Sequence, residues 1–205
     1  VCMVIAGTLG VRAQASAPNG FSLGVGLDLS AVSFADQADH ILGGTEAAPG
    51  WGLRFRLGYG LGIVALGAGV EATQVATGDG RMMDALAMPF EFEVRPRVRL
   101  GSVSPGVVVG YIRYGLGYQD VPGNRLPGEW PLPGEIYRVG LIANGLRLGA
   151  SFSLPLSKHI VLEARPTVDL LPFNHLEIAD DEETDLQRPG LSTRYGLALV
   201  LARVW

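Results

Sequence analysis

Between Phe90 and Leu100 the sequence reads FEFEVRPRVRL, in which Glu91, Glu93, Arg95, Arg97 and Arg99 alternate with Phe90, Phe92, Val94, Pro96, Val98 and Leu100. A repeat of two is the period of a β-strand, whose successive side chains point to opposite faces. The segment therefore sets an apolar wall against a row of charges. Whatever fold it joins must supply a different surrounding for each face.

The same period recurs over residues 21–30, 51–59, 64–73, 90–100, 108–118, 146–154, 162–170 and 194–205, which predicts eight strands. In each run one parity carries the bulk, such as Trp51, Phe55, Tyr59, Phe152, Tyr195 and Trp205, and the other is rich in glycine, alanine, serine and charge. In the fifth run Val108, Ile112, Tyr114, Leu116 and Tyr118 fall in the bulky set, and Tyr111, Arg113, Gly115 and Gly117 in the small one. Residues 135–144 have the opposite apolar parity to those after Gly145, which predicts either a bulge or a loop-borne extension of the sixth strand near Asn144-Gly145. Predicted connections are long at 34–50, 76–84, 119–134 and 171–190, and short near 60–62, 101–106 and 157–159. In an up-and-down meander this places every long loop at one end and every tight turn at the other.

Volume decides which face is inside. An eight-stranded barrel has an interior just wide enough for side chains, so the small, charged parity fits within and the bulky parity faces out. That is the reverse of a soluble barrel. Lipid rewards it, and closure pairs every backbone group where no water is available. The predicted fold class is all-β, an eight-stranded antiparallel up-and-down transmembrane β-barrel. Its predicted lumen network comprises Arg54, Arg56, Glu71, Glu91, Glu93, Arg95, Arg97, Arg99, Arg113, Arg147, Glu163, Arg165, Asp169 and Arg194. Such charges persist in a narrow lumen only when paired and hydrogen-bonded, and this set leaves an excess of arginine. Trp51 and Tyr59 lie eight residues apart on one strand, roughly 20 Å along the axis of a tilted barrel. With Tyr118 and Trp205 they predict two aromatic girdles at the membrane interfaces.

Composition agrees with a lipid-facing surface. The chain is 48% hydrophobic and 18% charged, yet Gly, Arg, Glu and Asp interrupt every apolar run before it reaches helical membrane-spanning length. A net charge of −4 gives no footprint for nucleic acid. Lys158 is the sole lysine among 16 basic residues, so the cations are chosen for planar, multi-donor hydrogen bonding. Residues 1–15 read as an export signal clipped at its start, an apolar stretch followed by Ala13-Gln14-Ala15, and residues 16–205 as the barrel. Cys2, the single cysteine, falls in the removed piece, so a disulfide-free exported protein is expected.

The run Arg194-Tyr195-Gly196-Leu197-Ala198-Leu199-Val200-Leu201, ending on Trp205, resembles the assembly signal of outer-membrane barrels, carried by Arg194, Gly196, Leu199, Leu201 and Trp205. With the alternation and the loop asymmetry, the whole mature chain resembles the small eight-stranded outer-membrane barrels that include the OmpA transmembrane domain and the OmpX-like proteins. That resemblance implies the outer membrane of a Gram-negative bacterium, reached through the periplasm, and a monomer. It implies as partners outer-membrane lipid, lipopolysaccharide and the barrel-assembly machinery engaging the last strand. The cell-wall anchoring of OmpA rests on a further domain and is not carried over.

Some barrels of this size are lipid-modifying enzymes. Here His159 falls in a predicted short turn and His40 and His175 in predicted long loops, and none is followed two residues on by a serine in a His-x-Ser pattern, so no histidine-based catalytic site is expected. The run Asp180 to Asp185 offers hard oxygen ligands for Ca²⁺ or Mg²⁺ but lacks the spacing and glycine of a dedicated loop, and reads as a solvated loop. A metal site from Asp36, Asp39, His40 and His175 requires two long loops to meet. No cofactor is implied. The expected function is a polar, largely plugged barrel with a structural or surface-interaction role. A narrow solute channel, a lipid-modifying enzyme and a soluble ligand-binding barrel are the rivals.

Overall fold

A computed structural model describes residues 20–42, 47–76, 82–96, 100–123, 126, 134–178, 184–185 and 190–205. The elements are β1 (Gly20–Ser33), α1 (Asp36–Leu42), β2 (Ala48–Leu61), β3 (Val64–Ala76), β4 (Met82–Val94), β5 (Ser104–Pro122), β6 (Ile136–Pro155), β7 (Ile160–Leu171), β8 (Phe173–Ile178), β9 (Thr184–Asp185) and β10 (Ser192–Val204). The proposed signal segment lies outside the described residues.

All neighbouring strands pair antiparallel, and β1 with β10 and β5 with β6 join the order into a closed barrel of eight staves. β7 and β8 form a single stave interrupted at Pro172, since both pair with β6. The register sets the shape. Register partners lead from Ser22 through Gly58, Gly67, Glu91, Gly110, Arg147, Asp169 and Arg194 back to β1 at Val32, ten residues further along. In a barrel of this strand number that stagger tilts the strands about 40° from the axis.

β2 and β3 are joined at Gly62-Ile63, and β6 and β7 by residues 156–159, at the same end as Gly20 and Val204. Gly62 has φ of 63°, the left-handed region that a tight hairpin demands and glycine adopts without a Cβ clash. β4 stops at Val94, two residues before Pro96, which has no N–H to give a ladder. The charged row of FEFEVRPRVRL is therefore only half on a strand. Arg97 and Arg99 lie outside the described residues.

The outward parity is apolar on every stave, with Leu27 60%, Phe55 51%, Phe90 58%, Leu199 47% and Leu201 49% exposed. A water-soluble monomer rarely presents so continuous an apolar surface. The interior has two halves. Toward the short-turn end it is charged. Toward the long-loop end it is an apolar core in which α1 contributes Ala38, Ile41 and Leu42 against Phe34, Tyr114, Leu141, Phe173 and Leu176.

That core corrects the reading of the fifth strand. Ile112 and Tyr114 are fully buried in the barrel, whereas Tyr111 is 48% exposed on the outside. Arg113 is exposed as well and stands outside the lumen. Bulky β5 residues fit inside because alanine faces them, Ala48, Ala85, Ala87 and Ala143 belonging to the same core. Of the two readings of Asn144-Gly145, the bulge is absent, and β6 extends through the site from Ile136 to Pro155. Along β6 the odd-numbered residues stay inward from Val139 and Leu141 to Arg147, so the apolar-to-charged change marks the two halves of the interior. The register shifts fall on its neighbours, between Leu116 and Gln119 of β5 and opposite Ile142-Ala143 in β8.

Candidate functional site: a paired ionic layer in the barrel

The layer is built by strand alternation. Each of β1, β2, β3, β4, β6, β7 and β10 turns one to three charged side chains inward, where glycines and serines leave room for long guanidinium groups. Gly67 shows the dependence: a Cβ there would stand 2.9 Å from Arg56 Nη2.

Arg147 is the hub. Its Nε and Nη2 donate to Asp169 at 2.7 and 2.9 Å, and Nη1 and Nη2 to Glu71 at 2.6 and 3.0 Å, with a further bond to Glu91 at 3.2 Å. Arg194 donates to Glu71 at 2.9 Å and Asp169 at 2.8 Å, and also reaches Asp28. Arg54 joins Glu71 at 3.1 Å to Glu91 at 2.5 Å. Lower in the barrel, Arg165 holds Glu91 at 2.8 Å, Glu93 at 3.0 Å and Glu163 at 3.2 Å. Arg56 reaches Glu91 and Glu93, while Arg95 bonds Glu93 at 2.6 Å and Glu163 at 3.3 Å. Ser151 donates to Glu93 at 2.5 Å.

Six acids, Asp28, Glu71, Glu91, Glu93, Glu163 and Asp169, thus meet six arginines, Arg54, Arg56, Arg95, Arg147, Arg165 and Arg194. Among the described residues the layer is charge-balanced; Arg97 and Arg99, which contribute to the arginine excess inferred from sequence, lie outside them. Arg113 takes no part. Asp28 does, although the predicted set omits it; its place on the small parity of β1 is the available signal. Above the layer Tyr114 caps Arg194, whose guanidinium carbon lies 5.7 Å from the ring centroid. Below it a cavity of about 370 Å³, lined by Ser22, Arg56, Arg95, Ser104, Lys158 and Glu163 among others, occupies the short-turn end.

Among the girdle residues, Trp51, Tyr59 and Trp205 are 60%, 50% and 52% exposed on the outer wall. Trp205 stacks at 5.7 Å from Phe21 and lies under Arg203. Tyr118 belongs to β5 at its register shift, and its side chain lies outside those described. Of the predicted assembly signal, Leu199, Leu201 and Trp205 face out, Arg194 is buried in the ionic layer, and a Cβ on Gly196 would meet Thr167 Oγ1 at 2.8 Å.

The histidines are scattered. His40 is on α1, His175 on β8 rather than in a loop, and His159 in the β6–β7 turn, where its Nδ1 lies 3.3 Å from the Val204 carbonyl. No group of three metal-ligating side chains occurs among the described residues. Residues 180–183 of the acidic run lie outside them, and Asp185 pairs with His175 through β9. Chemically the layer is a set of carboxylates ion-paired to guanidinium groups, an arrangement that suits structural cross-linking.

No family model matches the sequence, and no curated protein matches it either. Solved structures do match in shape. Neisserial surface protein A superposes with a TM-score of 0.57 at 11% identity, covering 96% of this chain and 99% of that one. A major outer membrane protein from Thermus thermophilus gives 0.54 at 13% identity, covering 88% and 99%. At those identities the likeness concerns the fold, and it extends over nearly the whole chain. The chain has the fold of the small eight-stranded outer-membrane β-barrels.

Proposed function

We propose that the protein is an integral outer-membrane barrel, delivered through the periplasm, whose lumen is closed to solute flow and whose role is structural or surface-interacting, without catalysis. The observation that carries this reading is the combination of an apolar outer wall with a buried, charge-balanced ionic layer spanning the barrel interior. Lipid is the medium in which that arrangement is stable, and six ion-paired guanidinium groups in an eight-stranded bore leave little room for a water path. The apolar core under α1 adds a second obstruction. Two structural neighbours described as a surface protein and a major outer membrane protein agree with the setting.

In this reading the last strand, with Leu199, Leu201 and Trp205 outward, engages the assembly machinery, the lipid and lipopolysaccharide of the outer membrane surround a monomer, and the long loops carry any recognition. The channel alternative draws on the cavity at the short-turn end, but that cavity ends against Arg56 and Glu163. Refolding into lipid vesicles tests both parts. An unboiled sample should migrate differently from a boiled one on a detergent gel, and vesicles containing the folded protein should retain small ions. Detergent-free solubility with unchanged mobility would remove the membrane setting, and rapid ion loss from vesicles would remove the closed lumen.

A further inference from the structure

The cavity of about 370 Å³ at the short-turn end lies inside the barrel beneath the ionic layer, and it stays open because β2 and β3 turn only Gly58, Gly60 and Ala65 toward it. Arg56, Arg95 and Glu163 line it on the side of the layer, and Lys158, exposed in the β6–β7 turn, lines it from the short-turn rim. Its volume falls at the small end of the range for ligand pockets, about 300 to 1,000 Å³.

The donors facing this space exceed what the ionic layer uses. Arg56 is 3% exposed, and its Nε and Nη2 reach Glu91 and Glu93 at 3.4 and 3.3 Å. Its Nη1 makes no hydrogen bond among the described residues, with Glu163 standing off at 3.7 Å. Gly58 leaves that nitrogen reachable: a Cβ there would lie 3.1 Å from Nη1 and 2.6 Å from Ser22 Oγ, so these two donors converge on one point of the wall. Ser153 lines the same cavity and is 7% exposed, yet its Oγ has no hydrogen-bond partner among the described residues. A polar group buried without a partner is costly, so one that faces a cavity marks a place where a ligand can supply the bond. Lys158 makes no ion pair or hydrogen bond among the described residues. The Glu163 carboxylate has both oxygens engaged, Oε1 by Arg95 at 3.3 Å and Oε2 by Arg165 at 3.2 Å. Since the described acids and arginines of the layer balance, Lys158 leaves the cavity positive.

We propose that this cavity binds a phosphate group, whose oxygens accept from Arg56 Nη1, from the Ser22 and Ser153 hydroxyls and from the Lys158 ammonium. Charge-assisted bonds of this kind are the strong ones, and donors that come from β1, β2, β6 and a turn surround a tetrahedral oxyanion better than a planar carboxylate. Free phosphate and a small phosphate monoester share this chemistry, and the volume admits a short organic group beside the phosphate. On the membrane reading the short-turn end is periplasmic, which makes the ligand a periplasmic solute. The site itself depends only on the barrel interior.

Protein labelled with ¹⁵N and folded in a nonionic detergent, titrated with inorganic phosphate, tests the site through the Nε–H resonance of Arg56 and the amide of Ser153. Both should shift saturably, and sodium chloride at matched ionic strength should not reproduce the shifts. Lys158→Gln and Ser153→Ala remove no ion pair, and each should weaken phosphate binding about tenfold, the loss of one hydrogen bond to a charged group. Glycerol phosphate binding more tightly than inorganic phosphate assigns the site to a monoester, and equal affinity assigns it to the free ion. Absence of a saturable shift, the same shifts with chloride, or either variant binding phosphate as tightly as the parent overturns the proposal. A barrel that keeps its heat-dependent gel shift but does not respond to phosphate refutes this site alone and leaves the membrane reading standing.

Discussion

Replacing Arg147 by leucine removes five side-chain hydrogen bonds, two to Asp169, two to Glu71 and one to Glu91, from a residue with no solvent exposure. Leucine fills part of the volume but leaves the interior with one uncompensated negative charge. Breaking a buried pair in this way costs about 3 to 5 kcal/mol. The lower end applies here, because Glu71 keeps Arg54 at 3.1 Å and Arg194 at 2.9 Å, and Asp169 keeps Arg194 at 2.8 Å. A loss of about 3 kcal/mol reduces the folding equilibrium constant in vesicles about a hundredfold. Urea titration followed by tryptophan fluorescence measures it. The double variant Arg147→Leu with Asp169→Leu restores neutrality, so it should be destabilised by less than the sum of the single changes, with a coupling of about 1 to 3 kcal/mol. An Arg147→Leu protein within about 0.5 kcal/mol of the parent, or strict additivity in the cycle, would refute the claim that these charges act as one network.

On the outer wall, Leu199→Arg should cost about 2 to 4 kcal/mol if it lies near the bilayer midplane, whereas Gly67→Ser, on the lumen side where the ion-paired end of Arg56 must shift by a few tenths of an ångström, should be milder; folding titrations in vesicles compare the two. Ile41→Ala in α1, where the side chain is 1% exposed, should destabilise the protein by about 2 to 4 kcal/mol while leaving ion retention intact, because in the proposed closed lumen the ionic layer is a barrier of its own; leaky vesicles from this variant would show that the apolar core is the seal.

The barrel was legible because alternation, loop-length asymmetry and the volume of the two parities all express one geometry. Arg54, Glu71, Glu91, Arg147 and Arg194 could be placed inward from their spacing alone. β5 was not legible by the same rule, since the rule assumed a uniformly small interior. Tyr114 and Ile112 sit inside because alanines on β2, β4 and β6 leave them room, a complementarity between strands distant in sequence. The same omission misplaced Arg113. Helix α1 has seven residues, too few for a helical period to stand out from a loop. The stave of β7 and β8 continues past Pro172 because β6 is long enough to pair with both, which a proline in a single strand argues against.

Nuclear Overhauser contacts between detergent acyl chains and the folded protein test most directly which face of the wall meets lipid, and they require no substitution. The account predicts contacts to Phe55, Phe90, Phe92, Val107, Val109 and Leu199, and none to Ala65, Val108, Ile112, Tyr114 or Val200, which are at most 4% exposed. β5 is the decisive strand, since its two parities are both bulky. Detergent contacts to Val108, Ile112 and Tyr114 in place of Val107 and Val109 would contradict the account.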